Sequence, residues 1–196
     1  QVEINLDNVL ERYGKLRELV TSDRADSFND LLTFMENETD WLRSPASTKY
    51  HLCVPHGLLF HSCNVAETAI RIAKSLDRSI PIESVVIVGL CHDMGKAGLP
   101  GKPQYIPNEP TEKQKQYGYP ASVPYSYNTE LVHMEHAARS LQLILPRFQL
   151  TEEETQAILI HDGQYVDANK RYAHEECKLA LILHYADYWS ASFLED

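Results

Sequence analysis

The segment Cys91-His92-Asp93-Met94-Gly95-Lys96 sets an imidazole, a carboxylate and an ammonium at the end of the apolar run Val85 to Leu90. Burying such groups unpaired would be costly. The pattern therefore predicts a core helix that delivers ligands to a cavity, and it calls for partners elsewhere in the chain. Candidates stand at separated positions: His61, His133, His161 and Asp187. His61 falls on an apolar stripe, three residues after Leu58 and four before Val65. Asp187 lies four residues after Leu183 in an apolar helix, where a carboxylate needs a cation or a histidine beside it. Taken singly, a histidine on an apolar face is more often a hydrogen-bonded core residue than a ligand. Taken together, a His or Asp on the inward face or end of five separate helices points to a metal. A set of nitrogen and oxygen donors without thiolate suits Fe, Mn, Ni, Co or Zn.

These residues need helices to hold them, and helical periodicity dominates the chain. The spacing predicts amphipathic helices over 4–20 and about 27–41, with a break at Ser44-Pro45. It predicts a long helix opened by Pro55, a buried helix over 81–94 stopped by Gly95, and a helix from about Asn128 to before Pro146. Thr151-x-x-Glu154 has capping-box spacing and starts a shorter helix. A last helix occupies about 174–194. The expected fold is an all-α bundle of about seven helices in one domain, 1–196, with its core at 55–194 and helices 1–42 packed on it. Residues 97–127 stand apart, with six prolines, three glycines and five tyrosines. A loop of roughly 30 residues in a compact domain is usually functional or disordered. The tyrosines favour an ordered substrate cover with a short hairpin.

The net charge of −10 makes an extended nucleic-acid surface improbable, because phosphate attraction carries most non-specific affinity. Bound divalent cations would reverse that sign locally and admit a small phosphate ester. Residues 96–115 are themselves basic, with Lys96, Lys102, Lys113 and Lys115 against Glu109 and Glu112. No run reaches the roughly 18 apolar residues of a membrane span. Four scattered cysteines without a Cys-x-x-Cys pair read as reduced core thiols in a cytoplasmic protein. The oligomeric state is left open.

The order His61 … His92-Asp93 … His133 … His161 … Asp187 resembles the HD phosphohydrolase superfamily in its form with additional histidines. His56-Gly57-Leu58-Leu59-Phe60-His61-Ser62 resembles that family's "GGLLEHS" helix, and Cys91 to Lys96 its "HDIGK". Leu150 to Glu154 with His161-Asp162-Gly163 resembles its "LTxEE…H-H/M-G" segment, and His184-Tyr185-Ala186-Asp187 its "LHxAD". The similarity covers about 55–194 and is nearest to stand-alone HD hydrolases and the HD part of bacterial 3′–5′ exoribonucleases. It implies two divalent metal ions. His61, His92, Asp93 and Asp187 would hold one, and Asp93 would bridge to a second completed by His133 and His161. The implied activity is that of a metal-dependent phosphohydrolase or phosphodiesterase, in which a metal-activated hydroxide attacks a nucleotide or short oligonucleotide, with Lys96 binding a phosphate oxygen. Glu135, Asp162 and His184 would orient ligating histidines.

Two departures stand out. Val132 precedes His133 where relatives often carry Gly, and His136 lies on the same helical face, so the ligand is His133 or His136. The stripe Ala137, Leu141, Ile144 favours His133. Asp162 replaces the second histidine of cyclic-dinucleotide-type members, which argues against a third metal. The same cage would also serve a di-iron oxygenase or a non-catalytic metal-binding module.

Overall fold

The computed structural model describes residues 3–195, so both ends of the expected 1–196 unit lie outside the described residues. The fold is an all-α bundle, as expected, with one two-stranded hairpin. Helix α1 (Leu6–Arg17) is capped by Asn5, whose side chain accepts from the Asn8 N–H, and α2 (Ala25–Glu38) follows. Their buried stripes, Val9, Tyr13 and Leu16 with Phe28, Leu31, Leu32 and Met35, join the same hydrophobic core as the later helices. Both helices thus share one core with the helices that follow.

Helix α3 (Gly57–Leu76) begins two residues after Pro55, because His56 takes a left-handed φ of 68° and its Nδ1 meets the Leu42 carbonyl at 2.6 Å. Helix α4 (Ile82–Cys91) is buried at every position from Val85 onward, which explains its apolarity on all sides. Gly89 makes this burial possible: a Cβ there would lie 2.8 Å from the Cβ of Ala66, so only glycine lets α4 cross α3 this closely. Helix α4 ends at Cys91, short of the expected Met94, and a 3₁₀ turn, Met94–Ala97, follows the ligand pair with Gly95 inside it rather than as the helix stop.

The segment 97–127 contains the expected short hairpin. Strands β1 (Tyr105–Pro107) and β2 (Tyr125–Tyr127) pair antiparallel, with Tyr105 opposite Tyr127. Between them, α5 (Glu112–Gln116) is started by a capping box of Thr111 and Gln114.

Helix α6 spans His136–Ile144, eight residues later than the expected start at Asn128. Asn128 is the reason. Its side chain accepts from the Glu130 N–H and donates to the Pro103 carbonyl, while its own N–H goes to Gln104. Such side-chain-to-backbone bonds compete with a helix and hold the chain against the hairpin base. Helix α7 (Glu152–Leu159) carries the expected capping box of Thr151 and Glu154. Helix α8 (Lys178–Trp189) runs on into a π-helical turn, Ser190–Leu194. All four cysteines are free thiols, but only Cys63 and Cys91 are buried; Cys53 and Cys177 are partly exposed rather than core residues. No described helix is long and apolar enough to cross a membrane.

Candidate metal centre

Three histidines are oriented alike by what their Nδ1 atoms meet. His92 caps the end of α4, and its Nδ1 donates to the Gly89 carbonyl at 2.8 Å. His161, just past the end of α7, donates from Nδ1 to the Ile158 carbonyl at 2.7 Å. His61, on α3, places Nδ1 2.9 Å from Glu195 Oε1. A carbonyl can only accept, so at His92 and His161 the Nδ1 proton is fixed and Nε2 is left to take a proton or a cation. His136, the first residue of α6, adds a fourth Nε2, 3.1 Å from that of His161.

Asp93 stands between them, 1 % exposed. Its Oδ2 lies 3.6 Å from His61 Nε2 and 3.5 Å from His92 Nε2. Asp187 on α8 closes that side, with Oδ1 3.0 Å from His61 Nε2 and 4.0 Å from His92 Nε2. The other oxygen of Asp93, Oδ1, lies 3.3 Å from both His136 Nε2 and His161 Nε2. Asp162 faces this second side, 3.2 Å from His136 and 3.7 Å from His161. Thus the two oxygens of one carboxylate face two different histidine pairs, each pair with a further carboxylate of its own.

The electrostatics follow from this crowding. Burial opposes a charge on His61, yet its bonds to Asp187 and Glu195 outweigh it and raise the imidazole to about 10. Burial likewise opposes His161, but Asp93 and Asp162 raise it to about 9. His92 has no such carboxylate bond, and burial pushes it down to about 4. Asp93 is held well below the usual carboxylate range: burial works against its charge, but Lys96, His92 and His136 prevail. Lys96 Nζ contacts Asp93 Oδ2 at 2.7 Å, and despite its burial this raises the ammonium above its ordinary value. These carboxylates create a negative field that holds protons on two histidines, and a cation would compete for the same places.

Of the residues singled out from sequence, the structure brings together His61, His92, Asp93, His161, Asp187 and Lys96. It does not bring in His133. That residue lies in the extended segment before α6, exposed, and belongs to none of the potential cation-binding groups among the described residues. His136 occupies the place instead. The stripe Ala137, Leu141, Ile144 does not extend back to residue 133, because α6 starts at His136 rather than at Asn128. Asp162 faces the histidine pair directly, beyond the supporting role expected of it. His184 does support it, through Nδ1 to the His161 carbonyl at 2.8 Å. Glu135 is exposed beside the cluster. Glu195 and His51 were missed; both lie outside the motif segments, and a lone Glu near the end of the chain carries no local signal.

A cavity of about 780 Å³ opens onto the cluster at Lys96, His51 and His136. Tyr105 and Tyr127 from the hairpin line it, their ring centroids 5.5 Å apart, as do Asn128, His133 and Arg139. Tyr117 and Tyr119 are on the hairpin's exposed far part and do not line it.

The donor set fits divalent cations on two counts. Four imidazole nitrogens and three carboxylates converge without a thiolate, as borderline metals prefer. Moreover, His92 Nε2 and Asp93 Oδ1 are buried with no hydrogen-bond partner, which is costly unless a cation satisfies them.

The family model described as HD domain matches residues 58–192. No curated protein matches the chain, and no solved structure does.

Proposed function

The chain belongs to the HD-domain family, in which metal-dependent phosphohydrolase activity is general, and from that premise we propose that it is a hydrolase of nucleotide phosphate esters that uses two divalent cations. The observation that carries this reading is the disposition of Asp93. Each of its oxygens faces its own histidine pair, which is what a bridging carboxylate between two cations requires. His61, His92, Asp93 and Asp187 would hold one cation. Asp93, His136, His161 and Asp162 would hold the other. Bound there, the pair would lower the pKa of a water between them and neutralise charge on the phosphoryl oxygens.

The remaining chemistry belongs to the chain's own side chains. Lys96 lines the cavity as well as touching Asp93, so its ammonium stands between the cluster and the space for an ester, positioned to bind a phosphate oxygen as a point charge. Tyr105 and Tyr127 offer aromatic faces at the cavity wall on which a base could stack. The hairpin that carries them is tied at its base by Asn128, which bonds the Pro103 and Gln104 carbonyls.

The test is release of p-nitrophenol from bis-p-nitrophenyl phosphate, followed by a nucleotide panel, with Mn²⁺ or Co²⁺ added to chelator-treated protein. Metal-dependent turnover of the ester, lost in Asp93→Asn, is expected. Absence of turnover on every ester with every metal would overturn the hydrolase reading.

A further inference from the structure

One imidazole is bonded from outside the family-matched residues 58–192, and two further segments outside them hold that partner in place. His61 turns Nε2 toward Asp93 and Asp187, while its Nδ1 meets both oxygens of Glu195, at 2.9 and 3.0 Å. The Glu195 side chain is wholly buried. It is held in turn by Asn64, one helical turn beyond His61 on α3, which donates from Nδ2 at 3.0 Å. Asn64 is itself fixed from the other side: Arg12 of α1 donates to its Oδ1 at 2.6 Å and is anchored by two bonds of 2.9 Å to Glu67. His51, from the segment before α3, approaches Glu195 Oε2 at 3.6 Å.

We propose that Glu195 is a positioning residue for His61, locked by Asn64 and Arg12, so that the end of the described chain and its first helix together set the geometry of one cation position. The proposal rests on His61 being a ligand, as argued above. A carboxylate that accepts from the Nδ1–H of a ligating histidine fixes the tautomer, aims Nε2 and makes it more basic. Reading His51, His61 and Glu195 as a further cation site is less economical. His61 would have to surrender its Nδ1 proton while its Nε2 stays committed to the Asp187 side, and both Glu195 oxygens already have partners.

Wild type, Glu195→Gln, Glu195→Ala and Arg12→Met are stripped of metal and titrated with Mn²⁺, with binding read by electron paramagnetic resonance and folding by thermal melting. The Nδ1–H resonance of His61 is followed by NMR in the metal-free state. Glu195→Ala is expected to weaken one of two binding events by about 10–100-fold, leave the other intact, and expose the Nδ1 proton to fast exchange. Glu195→Gln keeps an acceptor without the charge and falls between. Arg12→Met weakens the same event by less than Glu195→Ala. Unchanged binding in the alanine variant overturns the proposal, as does equal weakening of both events, which marks a merely structural role. Should Glu195→Ala not fold, the glutamine variant decides on the same two criteria. Failure of wild type to bind any cation overturns the metal-centre reading first, and this inference with it.

Discussion

At the scale of single residues, Asp93 and His136 carry the account. Asp93 is within 3.6 Å of four imidazole nitrogens and 2.7 Å from Lys96, so no other side chain can take its place between the two histidine pairs. Asp93→Asn keeps the volume but removes one anionic oxygen; metal analysis should show both cations lost and ester hydrolysis at background. The two candidate histidines separate cleanly. His136→Ala should leave one cation per chain instead of two, whereas His133→Ala should keep both and alter only KM, since His133 lines the cavity and not the cluster. A metal count of one in His133→Ala would reverse that assignment. Both histidines lie on one face of a hypothetical helix, and spacing alone ranks them. What decides is where the helix starts, and that depends on a contact from Asn128 to the distant Pro103.

At the scale of elements, the cluster depends on how closely α6 approaches the 3₁₀ turn after Asp93. Gly95 N–H donates to Ser140 Oγ at 2.8 Å, and that hydroxyl bonds the His92 carbonyl at 2.8 Å. A Cβ on Gly95 would run into the His136 carbonyl and come within 2.7 Å of the Ser140 nitrogen. Gly95→Ala must therefore push α6 away, carrying His136 with it. We expect a loss of about 1–3 kcal/mol in denaturant unfolding, the usual range for overpacking, together with weaker binding of the cation on the His136 side. The helices whose signals are local were legible from sequence. The capping box at Thr151 and the uninterrupted apolarity of α4 each act within a few residues, whereas the place of Gly95 is set by its distant contact with α6. The start of α6 and the hairpin's exact strands were not legible, because they are set by bonds between segments 18 to 25 residues apart.

At the scale of the whole molecule, the fold concentrates negative charge in its core and neutralises it with protons when no cation is bound. His61 and His161 are raised to about 10 and about 9, while His92, at about 4, is already neutral. Loading metal near pH 7.5 should thus release about two protons per chain, measurable by calorimetry in buffers of different ionisation enthalpy. Apparent affinity should rise with pH until those histidines are deprotonated. Groups raised in the folded state stabilise the metal-free protein fully below their unfolded value of about 6.5, and that contribution fades as pH climbs through about 9 to 10. The metal-free melting temperature should fall across that window and the metal-loaded one should not.

A partly buried ion pair braces the N-terminal helices against α7. Arg24 pairs with the fully buried Glu154 through two bonds of 2.9 Å and with Glu83 at 3.3 Å. Glu154 retains the Thr151 N–H and the Ser84 hydroxyl if Arg24 is removed, so Arg24→Met should cost about 2 kcal/mol rather than unfold the chain. Chemical denaturation checks this, and metal content should be unaffected. The family match identifies the 58–192 bundle, yet Arg12, Arg24, His51 and Glu195 brace or adjoin it from outside those limits. Sequence motifs gave no hint of this, since each contact joins residues more than 50 positions apart.

The central claim is that one carboxylate, Asp93, bridges two cations. Anomalous diffraction from crystals grown with Mn²⁺, collected above the manganese edge, tests it most directly. The account predicts two peaks flanking Asp93, one among His61, His92 and Asp187, the other among His136, His161 and Asp162. A single peak, or a second peak ligated by His133, would contradict it.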